Sequence, residues 1–471
     1  MTGRPVPPDA AARAELDALR TGLAELPGSA HCVLPHPPVA RPELPELPES
    51  GPVAPRAAVD PARAERLDGR LGALTWTDWA ADFTPGRPLS GTTFGIKENV
   101  DVHGRPSRAG RAATPPPADR DAVAVARLRA AGARLVAGCT MTELAVCLDG
   151  NPHRPETRNP RDDTRIAGGS SSGSAVAVAA GFVTAALGTD TGGSVRIPAA
   201  FCGVVGFKPT YDLLPRDGCV PLAPSLDHVG VITEDTATAL AAVLAMAAPG
   251  SCPVPAPARR RVRVGWPVDW TATADPAVNA ACRSALAALP DAIEVVPLEL
   301  PLTTRTSVLA NVAVLAAEAA TALRSPVTDG STDPRVRAFL SAGACLTADE
   351  VRDAHWQRLR IARELHSALR SVDAIATPTV AVTAPPIGAT ELPLTDGRTL
   401  RWPEVGDHFT AAANSTGFPA VSLPVGPVDG LPVGLQLVAG PHEDAWLLRL
   451  AALIEAGQRG GRPCRTPSTW A

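Results

Sequence analysis

The sequence predicts a globular α/β protein, and three observations carry that expectation. The chain has 471 residues with 45% hydrophobic content, enough to bury a large core. Between residues 93 and 145, short apolar runs alternate with helically spaced ones. The stretch GGSSSGSAVAVAAGFVTAALGTDTGGS, residues 168–194, holds a helix-sized and a strand-sized apolar run between two glycine–serine clusters. Composition excludes other classes. A net charge of −4 and a pI near 6.2 provide no basic field for nucleic acid. The expected partner is therefore a small molecule. The N-terminus, MTGRPVPPDAAARAELDALR, lacks the apolar core of a secretory signal, and no apolar run has membrane-spanning length. A cytoplasmic protein without membrane attachment is expected. The nine cysteines form no CxxC pair or other zinc-ligand spacing. They read as reduced core residues, with no metal and no cofactor expected.

Taken in order, residues 1–60 read as an N-terminal arm. It consists of a helix over 10–25 and a proline-rich run over 34–55 that is extended rather than part of the core. Residues 61–471 follow as the main body, which by length alone is two or three domains or one large α/β domain. A helical pattern over 61–81 leads to a strand that starts at Thr93 and ends at Lys97. Residues 121–132 are helical by spacing, 134–137 form a strand, and TMTELAV starts another short helix. The polar, turn-rich residues 150–167 form a surface loop. A helix over 173–181 aims its positive end back at the serines, and a buried strand follows over 182–187. Further helices are expected over 236–247, 275–289, 309–323, 348–369 and 444–456. Asp275 caps the second of these, with Pro276 at its first position. The run Arg259 to Arg263 reads as a solvated strand entry. Strands lie at 374–377 and on both sides of the Asp429-Gly430 turn.

The chain has only two lysines, Lys97 and Lys208, among its 44 basic residues. A buried lysine can become neutral and act as a base, which arginine cannot. Three chemistries compete for the serine clusters. Residues 169–173 satisfy G-x-S-x-G, which would make Ser171 a hydrolase nucleophile, but that motif needs a strand directly before it and here a polar loop precedes. A phosphate cradle lacks both G-x-x-x-x-G-K-[ST] and G-x-G-x-x-G. A lysine base acting through serine hydroxyls beside N–H donors finds its residue types in Lys97, Ser170 and Ser194.

At these residues the chain resembles the amidase signature hydrolases. The matching stretches are GIKENVDV, TMTELA, Asn159-Pro160, GGSSSGSA, GTDTGGSVRIPAAFCGVVGFKPT, SLDHVG, DAIATPT, FTAAANSTGFPAVSLPVG and GLPVGLQLVAG. They extend from about residue 60 to 460, and Ser194 follows Ser170 by 24 residues. The resemblance implies a large mixed β-sheet core covered by helices on both faces. It implies Ser194 as nucleophile, Ser170 as bridging serine after a cis Gly169–Ser170 peptide, and Lys97 as base. The N–H groups of Thr191, Gly192 and Gly193 would then form the oxyanion site. Ser171, Ser172 and Ser174 read as turn and cap hydroxyls, Asp190 as an acceptor for the glycine loop, Lys208 as structural, and Arg196 as an ion-pair former.

This chain departs from the family pattern at Arg108, Arg111, Cys139, Asp212, Val231 and Glu234. Arg108 and Arg111 are either surface cations or readers of an acidic substrate, and the departures argue against the A chain of a tRNA-amidotransferase. The expected activity is hydrolysis of a small-molecule carboxamide by a chain that could pair as a homodimer. Amide-forming acyl transfer, including a role within an amidotransferase, is the alternative. A non-catalytic binding component is a third reading, opposed by the intact Lys97, Ser170 and Ser194.

Overall fold

Alternate residues of the central strands enter different cores. Phe94, Ile96, Ala185, Leu187, Val205, Phe207, Val229 and Val231 join one cluster, whereas Ala186 and Ile232 join another with residues of the 172–179 helix. A sheet covered on both faces requires such strands to be nearly continuous in apolar residues. The computed structural model describes residues 10–24, 41–42, 44, 60–252, 257–258, 261–289, 291–323, 331–402 and 406–459. Its main sheet has 11 strands: β1 (Leu74–Thr77), β2 (Thr93–Lys97), β3 (Arg134–Cys139), β4 (Ala185–Asp190), β5 (Val205–Lys208), β6 (His228–Thr233), β7 (Val262–Pro267), β8 (Ile293–Leu298), β9 (Ala374–Pro378), β10 (Ala420–Val428) and β11 (Leu431–Val438). Their order across the sheet is β8-β7-β9-β11-β10-β5-β6-β4-β2-β3-β1.

The sheet is mixed, as expected. β8, β7 and β9 run parallel, as do β4, β2 and β3. Antiparallel pairs connect these two groups through β11, β10, β5 and β6. The first core cluster packs the helices Val123–Ala130, Thr236–Met246, Pro276–Ala287 and Asp444–Arg459 on one face. On the other face lie Ser172–Ala179 and Arg196–Cys202.

Several boundaries differ from the expected ones, each for a local reason. The 61–81 helix stops at Leu71, because Gly72 takes the left-handed conformation at φ 64 and the chain turns into β1. TMTELAV makes only a 3-10 turn, Glu143–Ala145, since Leu144 and Ala145 adopt positive φ. The 150–167 loop contains a small hairpin, Arg158–Asn159 with Asp162–Ile166. Asn159 is fully buried there and donates to the carbonyls of Ile166 and Phe201. The 309–323 helix starts earlier, at Pro301, whose ring suits a first helical turn. Asp275 caps its helix as predicted, accepting from Ala277 N at 2.7 Å, with Pro276 first in the helix.

The helix Ala10–Ala24 packs on Pro301–Ala322 and Pro334–Ala344, and Arg20 pairs with Glu350 at 2.8 Å. Most of the 34–55 run lies outside the described residues, but Arg41 corrects its reading as an extended segment apart from the core. Arg41 is 2% exposed; it pairs with Glu443 at 2.6 Å and donates to the carbonyls of Leu369 and Val372. A guanidinium can be buried this way because each of its nitrogens finds an acceptor. The seven described cysteines are all free; Cys32 and Cys464 lie outside the described residues. Among the described residues, no helix is long and apolar enough to cross a membrane.

Candidate active site

β2 delivers Lys97 into a fully buried position beside the end of β4. Its Nζ lies 2.8 Å from Ser170 Oγ and 2.8 Å from Thr189 Oγ1, a hydroxyl that Asn99 Nδ2 also reaches at 3.1 Å. Burial pushes the Lys97 ammonium down to about 7, although the charges of Asp190 and Asp227 pull it up. The second lysine, Lys208, is also fully buried and lowered, by burial and then by Arg196, and donates to Pro209 O.

The Gly169–Ser170 peptide is cis. Directly after it begins the helix Ser172–Ala179, which contains no side chain larger than valine. This permits close packing: a Cβ on Gly173 would collide with Ala73 O and Thr140 N. Ser174 Oγ donates to Leu187 O and Ser171 Oγ to Thr189 O, so both serve the backbone. Ser170 and Ser194 are buried, and Ser171 N donates to Ser194 O at 3.2 Å. The geometry therefore brings Lys97 and Ser170 into contact. The Ser194 hydroxyl makes no hydrogen bond to a described residue.

Between Asp190 and Ser194 the chain makes a glycine turn whose carbonyls are occupied. Thr191 O accepts from Asn311 at 3.4 Å, Gly192 O from Thr410 Oγ1 at 2.5 Å, and Gly193 O from Ile197 N at 2.8 Å. The N–H groups of Thr191, Gly192 and Gly193 donate to nothing among the described residues. A turn arranged this way presents donors and no acceptors. Gly193 sits at φ 141, and a Cβ there would collide with Thr410 Oγ1, so only glycine fits.

Asp190 and Arg196 hold this turn from beneath. Both are fully buried and meet through two bonds, Oδ1 to a terminal nitrogen at 2.9 Å and Oδ2 to Nε at 3.0 Å. Burial alone would raise the Asp190 carboxyl, but the Arg196 guanidinium overrides it and holds the group well below its usual range. Asp190 accepts from Val195 N, one residue beyond the serine, rather than from the glycines themselves. Arg196 also reaches Thr410 O, Asn414 Oδ1 and Gln436 Oε1, closing the network with C-terminal residues.

Sequence reasoning did not single out Asn99, Thr189, Asp227, Asn311, Asp407 or Thr410. Asp227 clamps the turn by accepting from Thr191 Oγ1 at 2.7 Å and from Leu222 N and Ala223 N. Asp407 and Asn311 flank the turn's open side, with Oδ2 and Oδ1 at 3.6 and 3.3 Å from a Cβ built on Gly192. Burial pushes the Asp407 carboxyl up to about 7. Asn99 and Asp227 sit inside the motifs GIKENVDV and SLDHVG, which was their only visible signal. Arg108 and Arg111 are half-buried; Arg111 Nε donates to Arg108 O, and the Arg108 charge acts on Glu98. Among the described residues no group of three or more His, Cys, Asp or Glu side chains could hold a metal ion.

Known proteins share this arrangement of sequence. The Amidase family model matches residues 73–448. The A chain of the glutamyl-tRNA(Gln) amidotransferase from Symbiobacterium thermophilum is 35% identical over 433 residues, covering 83% of this chain and 86% of the relative. The fatty acid amide hydrolase of Medicago truncatula is 34% identical over 422 residues, covering 81% and 68%. A solved amidase structure superimposes with a TM-score of 0.77 at 36% identity, covering 84% of this chain and 94% of that one. All 11 strands of the main sheet, the serine-bearing turn and the buried lysine lie within the matched span, and the chain belongs to the amidase family, whose members carry the amidase signature.

Proposed function

We propose that this protein hydrolyses the C–N bond of a small-molecule carboxamide through an acyl-enzyme on Ser194. The observation that supports this most is the pairing of buried Lys97 with Ser170 at 2.8 Å, next to a turn whose N–H groups are free. A lysine near 7 is substantially neutral at physiological pH. It accepts the Ser170 proton as Ser170 takes that of Ser194, and the Ser194 oxygen attacks the amide carbonyl. The oxygen that becomes negative is held by the N–H groups of Thr191, Gly192 and Gly193, each contributing roughly 3–4 kcal/mol in comparable sites. The relay then protonates the leaving nitrogen, and water attacks the ester. No cofactor enters these steps.

A second reading keeps the same acyl-enzyme but gives its acyl group, or the released nitrogen, to another acceptor. Similarity to the A chains of glutamyl-tRNA(Gln) amidotransferases favours it. One experiment tests both. A panel of aliphatic, aromatic and carboxylate-bearing amides is incubated with the protein, and adducts are sought by intact mass. A substrate should add its acyl mass to Ser194, and Ser194→Ala should lose both adduct and turnover. If Ser194→Ala retains turnover, the mechanism fails. Acyl hydroxamate formed without hydrolysis identifies transfer as the physiological outcome.

A further inference from the structure

Beside Thr189 lies a cavity of about 70 Å³, lined by neither Ser170 nor Ser194. It runs from exposed Pro221 and Pro224 and half-buried Arg216 at the surface to a buried floor of Asn99, Thr189, His228 and Val229. Two floor residues carry polar atoms that have no partner: Asn99 Oδ1 and His228 Nε2. Asn99 and His228 are each 3% exposed.

Their chemistry is specific. Asn99 uses its NH₂ on Thr189 Oγ1, leaving the carbonyl oxygen as an acceptor. His228 Nδ1 lies 2.6 Å from Leu226 O, and a carbonyl only accepts, so Nδ1 carries the hydrogen. The ring is neutral, since burial and the charges of Lys208 and Arg196 outweigh Asp190 and the Leu226 carbonyl. Nε2 is therefore a lone-pair acceptor too. Both unpartnered atoms are thus acceptors and ask for a molecule that supplies donors, as water does. A polar space of roughly 10–15 Å³ already holds one water, so this cavity has room for more than one.

We propose that the cavity is a water site that carries protons between solvent and Lys97 through the Thr189 hydroxyl. The Lys97 ammonium passes a proton to Thr189 Oγ1 as the Thr189 hydroxyl proton moves to a cavity water, and a proton leaves that water for solvent. The reverse sequence reloads the lysine. Asn99 orients Thr189, and His228 anchors the water; both are positioning residues. The charged or titratable groups acting on Lys97 are Asp190, Asp227 and Cys219, and the last two line the cavity. The route leaves the serine side free, so Lys97 exchanges protons while an acyl group occupies Ser194.

The inference deepens the proposed amidase reading and rests on Lys97 acting as the base, but its first test does not. A high-resolution crystal structure of the unliganded protein should show water within hydrogen-bonding distance of both Asn99 Oδ1 and His228 Nε2. A dry cavity overturns the proposal whatever the enzyme's substrate. The second test fills the space with Cys219→Phe and removes the anchor with His228→Phe, using His228→Gln as the acceptor-retaining control. With less water behind Thr189, the hydroxyl that Lys97 contacts, Lys97 is harder to charge, so the acid limb of the kcat/KM profile should move down by about half a pH unit or more, with KM unchanged. His228→Gln should stay near the wild-type midpoint. Unmoved profiles in folded Cys219→Phe and His228→Phe proteins overturn the proposal, whereas loss of the acid limb in Lys97→Ala tests the base assignment separately.

Discussion

Lys97 is depressed by burial, and no carboxylate touches it closely enough to cancel that: Asp190 is committed to Arg196, and Asp227 to Thr191 and two backbone amides. Its position near 7 has two consequences. First, kcat/KM should rise about tenfold per pH unit below that value and level off above it, as measured on any accepted amide. Second, the lysine opposes folding. Its folded proton affinity lies below the ordinary lysine value, so between those two pH values the unfolded chain binds the extra proton and stability rises with pH. Lys97→Met should therefore raise the thermal midpoint at pH 7 while abolishing turnover. Asp190 has the opposite sign: its depressed carboxyl contributes stability above the ordinary Asp range that is lost as pH falls through the folded value. Lys97 was legible in the sequence because arginine had replaced nearly every other lysine. Asn311 and Asp407 were not, because an isolated polar residue in a helix or loop leaves no periodicity, and only the folded turn makes them neighbours.

Among the elements, the glycine turn shows how donors are exposed by occupying acceptors. Asn311, Thr410 and Ile197 hold the three carbonyls, so the three N–H groups have nowhere to go but outward. Gly193→Ala must displace Thr410 and adopt a φ that alanine avoids. It should lower kcat by roughly 10²–10³, the cost of losing an oxyanion donor, with little change in the far-ultraviolet circular dichroism. The 172–179 helix was readable from its composition, since a run of Gly, Ala, Ser and Val fits only where backbones approach closely. TMTELAV misled, because its apolar spacing suits a helix while tertiary packing holds Leu144 and Ala145 at positive φ.

At the scale of the whole molecule, the local alternation of strand and helix was visible, but the sheet order was not. Strands β10 and β11 insert between the two parallel groups, a pairing over more than 200 residues that no local pattern encodes. The same distance hides Arg41, which looked like part of a proline-rich arm yet reaches Glu443 and Asp373. Arg41→Ala leaves those carboxylates buried without their cation. Breaking such a pair costs about 3–5 kcal/mol, so chemical denaturation should show a clearly lower midpoint. If the midpoint is unchanged, residues 41 and 42 contribute nothing to the fold.

The Asp190–Arg196 network has a consequence in time. Lys97, Ser170, Ser194 and Asp190 are all made within the first 194 residues, but the other groups that fix Arg196 are Thr410, Asn414 and Gln436. A chain still on the ribosome thus carries every side chain of the proposed relay long before the frame that aligns them exists. The proposed activity should therefore arise late in synthesis, and C-terminal truncations short of residue 436 should leave a protein with all three relay groups and no turnover.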